Sequence, residues 1–325
     1  MKLTVTSSPH IRNKVNTGSI MFDVVIALIP ALLAGVIHFG IRSLLVGAVC
    51  VVAALLAEWT WGTFLFKKNT VTDGSAVVTG LLLALTLPAT VPYEIAALGS
   101  VFAIIIIKGM CGGLGKNIFN PALAGRAFLM LLFPVHLVRY ATPGTELSLF
   151  GSNVDAVASA TPLHHMVMPA LPEESLLTMF LGNIGGTIGE TCTLALVIGG
   201  AYLVYKKVIS VRIPAAYLGT VAVLTLVFSK GENPIAWMLY SVLGGGVVLG
   251  AIFMATDYAT SPVTPKGQIF YGIGCGVLTV LFRYFGLFPE GVTYAILIMN
   301  AAVWILDFYT APRRFGYQKG GKHEN

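Results

Sequence analysis

Apolar runs broken by short polar corners recur along the whole chain, and most approach the roughly 20 residues that an α-helix needs to cross a bilayer. The pattern predicts ten spans, at about 20–39, 43–66, 76–88, 93–108, 118–137, 187–205, 212–229, 235–254, 268–287 and 291–309. The third and fourth are short and are split by Pro88 and Pro92. They read as broken helices lining a cavity, the one setting in which irregular backbone is tolerated at membrane depth. The polar stretches divide the chain into a segment 1–19, a first bundle half 20–139, a polar loop 140–186, a second bundle half 187–309 and a tail 310–325.

Composition agrees with the pattern. Hydrophobic residues make up 56% of the chain and charged residues 10%, against about a quarter charged in soluble domains. Mean hydropathy is +0.83. The chain therefore reads as an all-α polytopic membrane protein. With ten spans both termini share one side, and that side collects Lys2, Arg12, Lys14, Lys67, Lys68, Lys108, Lys116, Lys206, Lys207, Arg212, Lys266, Arg313, Arg314, Lys319 and Lys322. The other side keeps Arg42, Arg139, Lys230 and Arg283, and Arg126 falls inside a span. The positive-inside rule then makes the termini cytoplasmic and the 140–186 loop extracytoplasmic. The basic balance is explained as membrane anchoring and gives no support to nucleic-acid binding. Residues 1–18 lack the apolar core of a cleavable signal peptide. Cys50, Cys111, Cys192 and Cys275 stand singly, with no C-x-x-C spacing and no His placed to complete a metal set, and read as buried structural thiols.

Candidate chemistry concentrates where this pattern is violated. The 140–186 loop is long, carries Glu146, Asp155, Glu173 and Glu174, and belongs to a stretch with no Lys or Arg from Tyr140 to the residue before Lys206. Loops of that length are usually functional or disordered. Within it runs Asp155-Ala-Val-Ala-Ser159-Ala-Thr161, followed by Pro162. Thr161-Pro162 also suits a helix start, Thr as N-cap and Pro at the first helical position, and the exposed amides of such a terminus favour a phosphate. In the fifth span an ionised Arg126 must face a cavity, a partner or a phosphate, or pair with a buried carboxylate. Glu190 follows the Gly-rich run Gly182 to Gly189, and Asp23, Glu58 and Asp307 lie in or beside other spans. Each is an ion-pathway candidate or, equally, an interfacial or paired carboxylate. Thr72-Asp73-Gly74-Ser75 and Thr256-Asp257-Tyr258-Ala259-Thr260-Ser261-Pro262 are similar corners. They point to an internal duplication, although each Asp also suits a turn or cap.

Three of these segments carry a resemblance that covers nearly the whole chain. Asp155 to Thr161, Gly113-Leu-Gly-Lys116-Asn117-Ile-Phe-Asn120-Pro121-Ala-Leu-Ala-Gly125-Arg126-Ala-Phe128 and Gly182 to Thr191 resemble the corresponding runs of the family that includes RnfD, of the Rnf ion-translocating oxidoreductase, and NqrB. In that family a flavin transferase esterifies FMN through its phosphate to the last Thr of Asp-Gly-x-Ser/Thr-Gly-Ala-Thr. Asp155, Ala160 and Thr161 match this pattern, while Ala156, Ala158 and Ser159 replace its first Gly, its hydroxyl and its second Gly. The resemblance implies covalent FMN on Thr161, with Asp155, Ser159, Asn120 and Arg126 as further cofactor-binding candidates, and raises a second, non-covalent flavin such as riboflavin. It implies two inverted five-helix repeats resembling urea-channel architecture. It implies a bacterial or archaeal plasma membrane location and, as partners, the A, B, C, E and G subunits of the Rnf complex. The assembly would pass electrons between ferredoxin and NAD with coupled sodium or proton export.

Nothing in the chain reads as a catalyst on its own: no nucleophile with base and orienter, no dinucleotide fingerprint, no phosphate loop. It reads as a translocase subunit whose cofactor does the electron chemistry. A flavin-free channel or transporter for a small solute or ion, or a plain membrane anchor, would share the apolar pattern but would have no use for the Asp155–Thr161 segment.

Overall fold

The computed structural model describes residues 16–66, 70–149, 158–159, 172, 174–231, 233–286 and 291–312. Thirteen helices are described: α1 (Thr17–Phe39), α2 (Ile41–Trp61), α3 (Ser75–Leu85), α4 (Tyr93–Phe102), α5 (Pro121–Leu132), α6 (Pro134–Leu137), α7 (Leu176–Leu181), α8 (Thr193–Tyr205), α9 (Arg212–Val227), α10 (Pro234–Leu243), α11 (Val247–Leu249), α12 (Pro265–Phe285) and α13 (Val292–Thr310). Three of them run on into π-helical turns: α2 into Gly62–Phe66, α4 into Ala103–Gly109 and α11 into Gly250–Met254. Such turns, with their i→i+5 bonds, are frequent at functional sites. The starts follow local chemistry. Asn120, Asn233 and Thr264 each cap a helix whose first residue is Pro121, Pro234 or Pro265, where a missing N–H costs nothing.

Every predicted span contains a helix, yet they differ in reach. Four helical stretches, Thr17–Phe39, Ile41–Phe64, Pro265–Phe285 and Val292–Thr310, are long and apolar enough to cross a membrane, and α10 with Val247–Met254 passes the same test only as a pair bent by 59°, the form of a broken span or a re-entrant loop. The helices α3, α5, α8 and α9 are shorter apolar pieces. The protein is thus a helical, polytopic membrane protein whose straight and interrupted segments are mixed.

Two expectations are corrected here. The fourth span is not broken: α4 and its π-helical turn carry the chain from Tyr93 to Gly109. The eighth is broken instead, at Gly244-Gly245-Gly246, where Gly245 and Gly246 adopt φ of 66° and 68°, conformations that cost glycine little. The predicted start of the sixth span at 187 also moves, because Thr187 to Cys192 are not helical and α8 begins at Thr193. That stretch lies against the irregular segment after α3. Ile188 N–H donates to the Leu87 carbonyl (3.0 Å) and Gly189 N–H to that of Leu85 (2.8 Å), so two broken segments satisfy each other's backbone.

Close helix approaches fix the packing. A side chain on Gly199 of α8 would lie 2.0 Å from the Ala27 carbonyl oxygen of α1, and one on Gly80 of α3 would meet the Cys50 carbonyl of α2 at 2.8 Å. Small residues admit such contacts where lipid provides no hydrophobic drive between helices. The outer surface is apolar, with Ile37, Phe64, Leu131, Val227, Phe285 and Trp304 exposed. The two ends of the bundle differ. One gathers the start of α1, the α2–α3 corner, the turn at 108–121 and the α8–α9 and α11–α12 corners. The other gathers the α1–α2 turn, the segment after α3, β1 and the α9–α10 turn.

Candidate functional site

Two places stand out, one at each end of the bundle. At the second end the chain leaves α6 and forms β1 (Tyr140–Ala141), which pairs antiparallel with β2 (Ala158–Ser159), Tyr140 opposite Ser159 and Ala141 opposite Ala158. Part of the 140–186 loop is thus ordered as a strand pair. Asp155 and Thr161 lie outside the described residues, but the Ser159 backbone is fixed beside Tyr140. Buried Arg42 organises the surroundings. Its guanidinium donates to the carbonyls of Ala89 (2.9 Å), Val91 (3.3 Å) and Ser148 (2.5 Å), and it lies over the Tyr93 ring at 4.9 Å. Thr90 donates to the Arg139 carbonyl at 2.6 Å. The root of the 140–186 loop is therefore tied to the irregular backbone that follows α3.

At the first end a cavity opens between the bundle halves, its wall including Ser75, Lys108, Asn117, Asn120, Asp257 and Tyr258 beside apolar Val24, Leu82 and Phe253. The two similar corners, with Asp73 and Asp257, meet around it. Both Asp residues act as turn caps: Asp73 accepts from Ser75 N–H at 2.8 Å, and Asp257 from the Thr260 hydroxyl at 3.1 Å. Burial pushes the Asp257 carboxyl above the ordinary carboxylate range, partly countered by hydrogen bonds from Thr260 and Ala259. Asn120 is engaged at both ends of its amide, accepting from Ala122 and Leu123 N–H and donating to the Met254 carbonyl (3.2 Å). It thus ties the start of α5 to the end of the bent span. Asn117 differs, because its buried Oδ1 has no hydrogen-bond partner among the described residues.

Arg126 is buried on α5, roughly 9 Å further along the helix than Asn120 at about 1.5 Å per residue. It lies outside the cavity wall. Glu190 is buried in the non-helical stretch before α8, where its Oε1 accepts from Thr187 N–H (3.4 Å). Its Oε2 lies 2.7 Å from where a side chain on Gly246 would begin, so it faces the break between α10 and α11. The other three carboxylates singled out in the spans have partners. Glu58 pairs with buried Lys108 (2.6 Å). Asp23 accepts from the Tyr202 hydroxyl (2.7 Å) and lies 3.7 Å from Lys206. Asp307 accepts from the Val263 and Thr264 N–H groups ahead of α12. The structure therefore gathers Asn120 with the two Asp corners, and it separates Arg126, Glu190 and the loop from them.

Lys108 and Asn117 are site residues that the sequence does not single out. Lys108 belongs by pattern to the cytoplasmic anchoring lysines, but it is 4% exposed and held by Glu58. Its one sequence signal is its place at the end of the apolar run Phe102–Ile107. Of the four cysteines, Cys50, Cys192 and Cys275 are buried as expected, while Cys111 is exposed, in the turn after Gly109.

The chain matches the NQR2, RnfD, RnfE family over residues 4–316. It is similar to the D subunit of the Na(+)-translocating ferredoxin:NAD(+) oxidoreductase complex of Acetobacterium woodii, 47% identical over 98% of this chain and 97% of the relative. It is 43% identical to the D subunit of the proton-translocating ferredoxin:NAD(+) oxidoreductase complex of Clostridium ljungdahlii, over 97% of each chain. The D subunit of the ion-translocating oxidoreductase complex of Yersinia enterocolitica is 34% identical over 98% of this chain and 100% of the relative. A match that runs along almost the entire sequence, on a bundle of straight and broken apolar helices, shows that the chain belongs to the NQR2, RnfD, RnfE family.

Proposed function

We propose that this chain is the RnfD-type membrane subunit of an ion-translocating oxidoreductase complex, carrying FMN as a phosphoester on Thr161 and passing electrons between ferredoxin- and NAD-linked partners with coupled sodium or proton export. The observation that carries the reading is the full-length likeness to relatives so named, taken with the Asp155–Thr161 segment. Support comes from the loop root, where β1 pairs with β2 two residues before Thr161. Thr161 would provide the hydroxyl for the ester, Asp155 and Ser159 precede it in the same segment, and buried Arg126 is the further cofactor-binding candidate within the bundle. Bound flavin would supply the one- and two-electron chemistry, and the chain would hold it and exclude water around it.

A second, non-covalent flavin would take the cavity at the opposite end. There the Asn117 Oδ1, buried without a protein donor among the described residues, offers an acceptor to a ring N–H beside apolar walls, and the cavity, about 70 Å³, must widen to admit the ring. Asn120 shapes the wall. The cation path is assigned to buried Glu190 and Glu58, with Asp23 and Asp307 nearer the ends.

Ten spans in two inverted five-helix repeats are the architecture we favour. In support, helix contacts repeat with an offset of five spans: α2 packs on α3 and α4 and α4 on α5, while α9 packs on α10 and α12 and α12 on α13. The end holding Lys108, Lys116, Lys206 and Arg212 would be cytoplasmic, which makes the Thr161 loop extracytoplasmic. The A, B, C, E and G subunits of such a complex and a flavin transferase are the partners this implies.

The test is in-gel flavin fluorescence of the denatured polypeptide. Wild type should fluoresce and Thr161→Ala should not, with equal protein on the blot. A fluorescent Thr161→Ala band would move the attachment elsewhere. A dark wild-type band would favour the flavin-free channel, a reading that the broken helices and buried carboxylates otherwise allow.

A further inference from the structure

Between α2 and α4, at the end that holds the first cavity, lies a second cavity whose wall includes Glu58, Trp61, Thr70, Lys108, Gly109 and Gly113. Two π-helical turns, Gly62–Phe66 and Ala103–Gly109, meet here. Glu58 and Lys108 each keep about 5% of their side-chain surface exposed. A chain of polar contacts runs through them. Thr70 donates to Glu58 Oε1 (2.7 Å) and Lys108 Nζ donates to the same oxygen (2.6 Å). Lys108 Nζ also donates to Ser75 Oγ (2.5 Å), which in turn donates to Asp73 Oδ1. Lys108 and Leu114 line both cavities, and Lys108 is the charged group between them.

Two features of this cluster are unbalanced. The first is charge: Glu58 pairs directly with Lys108 and half-buried Asp73 reaches the ammonium only through Ser75, so among the described residues two carboxylates face one ammonium, a formal −1. The second is geometry. Both hydrogen bonds to the Glu58 carboxylate fall on Oε1, and the buried Oε2 has no partner among the described residues. An orphaned carboxylate oxygen inside a membrane bundle is costly and tends to mark an ion path. Among the described residues the missing element is one positive charge with a preference for hard oxygen donors.

We infer that Glu58 Oε2 binds a small alkali cation entering through the second cavity, and that Lys108 is the tethered cation gating its passage toward the first. Without the ion, Lys108 screens the cluster. When a cation neutralises Glu58, the hold on Lys108 weakens and the ammonium keeps Ser75, itself bonded to Asp73, as its partner. The π-helical turn that carries Lys108 leaves slack in the backbone for that shift. The inference deepens the ion-path reading of Glu58 and rests on it.

The experiment measures 22Na+ binding to the purified complex, in sodium against choline chloride at constant ionic strength and pH. Glu58→Gln should weaken sodium binding at least tenfold. Lys108→Gln should tighten it several-fold, because it removes the competing charge. A cluster that only holds the fold would shift both variants in the same direction or neither. Asp73→Asn serves if Lys108→Gln fails to assemble, with weaker binding expected. Unchanged sodium binding in Glu58→Gln, or weaker binding in Lys108→Gln, overturns the inference. In-gel flavin fluorescence is scored on the same samples, so a dark wild-type band alongside Glu58-dependent sodium binding would remove the flavin reading and leave this one standing.

Discussion

Arg42 shows how much one buried charge can organise. It lies at the start of α2 and donates to four carbonyls from two segments, Ala89 and Val91 after α3 and Ser148 and Leu149 at the root of the loop. Those carbonyls have no helix of their own to bond within, and at the buried Ala89 and Val91 no water replaces the guanidinium. Arg42→Met keeps the stem and removes all the donors, so it should destabilise the protein by about 3 kcal/mol, the scale of leaving several buried acceptors unsatisfied. It should also lower the flavin carried per polypeptide, because the loop holding Thr161 loses its tether. Thermal unfolding in detergent and in-gel fluorescence check the two outcomes separately. A stable variant with full flavin would show that the loop is held by β1 and β2 alone.

At the scale of elements, the packing of α1 on α8 joins the two halves and depends on Gly199. An added methyl there would fall 2.0 Å from the Ala27 carbonyl oxygen and 3.0 Å from the Phe253 ring. Backbone cannot yield as a flexible side chain can, so Gly199→Ala should cost about 2–3 kcal/mol, the range of overpacked cores. Gly219 of α9 is the contrast: it is helical, and nothing lies within 4 Å of the added carbon. Gly219→Ala should be neutral or stabilise by up to about 1 kcal/mol through helix propensity. Midpoints of thermal unfolding would rank the two, and equal midpoints would mean that the α1–α8 contact relaxes freely.

For the whole molecule the decisive property is sidedness. Exposed Lys230 and Lys266 sit at opposite ends. In a Cys111→Ser background, an impermeant maleimide should label Lys266→Cys only from the cytoplasmic face and Lys230→Cys only from the other. Labelling of both from one face would break the even span count, and with it the placement of the Thr161 loop.

Long apolar runs with few charges determine that this chain is a helical membrane protein, because lipid admits only helices and closed barrels and the runs lack the alternation of barrel strands. The starts at Asn120, Asn233 and Thr264 are written in local cap chemistry. Pro88 and Pro92 mark irregular backbone in the right region, after α3, while the Gly244–Gly246 break is illegible because a glycine triplet inside an apolar run can also be a close helix contact. Composition cannot find Lys108. A lysine at the end of an apolar run reads as an anchor in the interface, and only the fold of α4 against α2 and α3 turns it inward onto Glu58 and Ser75. The pairing of Leu85 and Leu87 with Ile188 and Gly189 likewise joins residues about a hundred positions apart. Periodicity records which face of a segment is apolar, but which broken segment meets which is set by long-range packing, and that is why the tertiary structure alone decided where the buried charges lie.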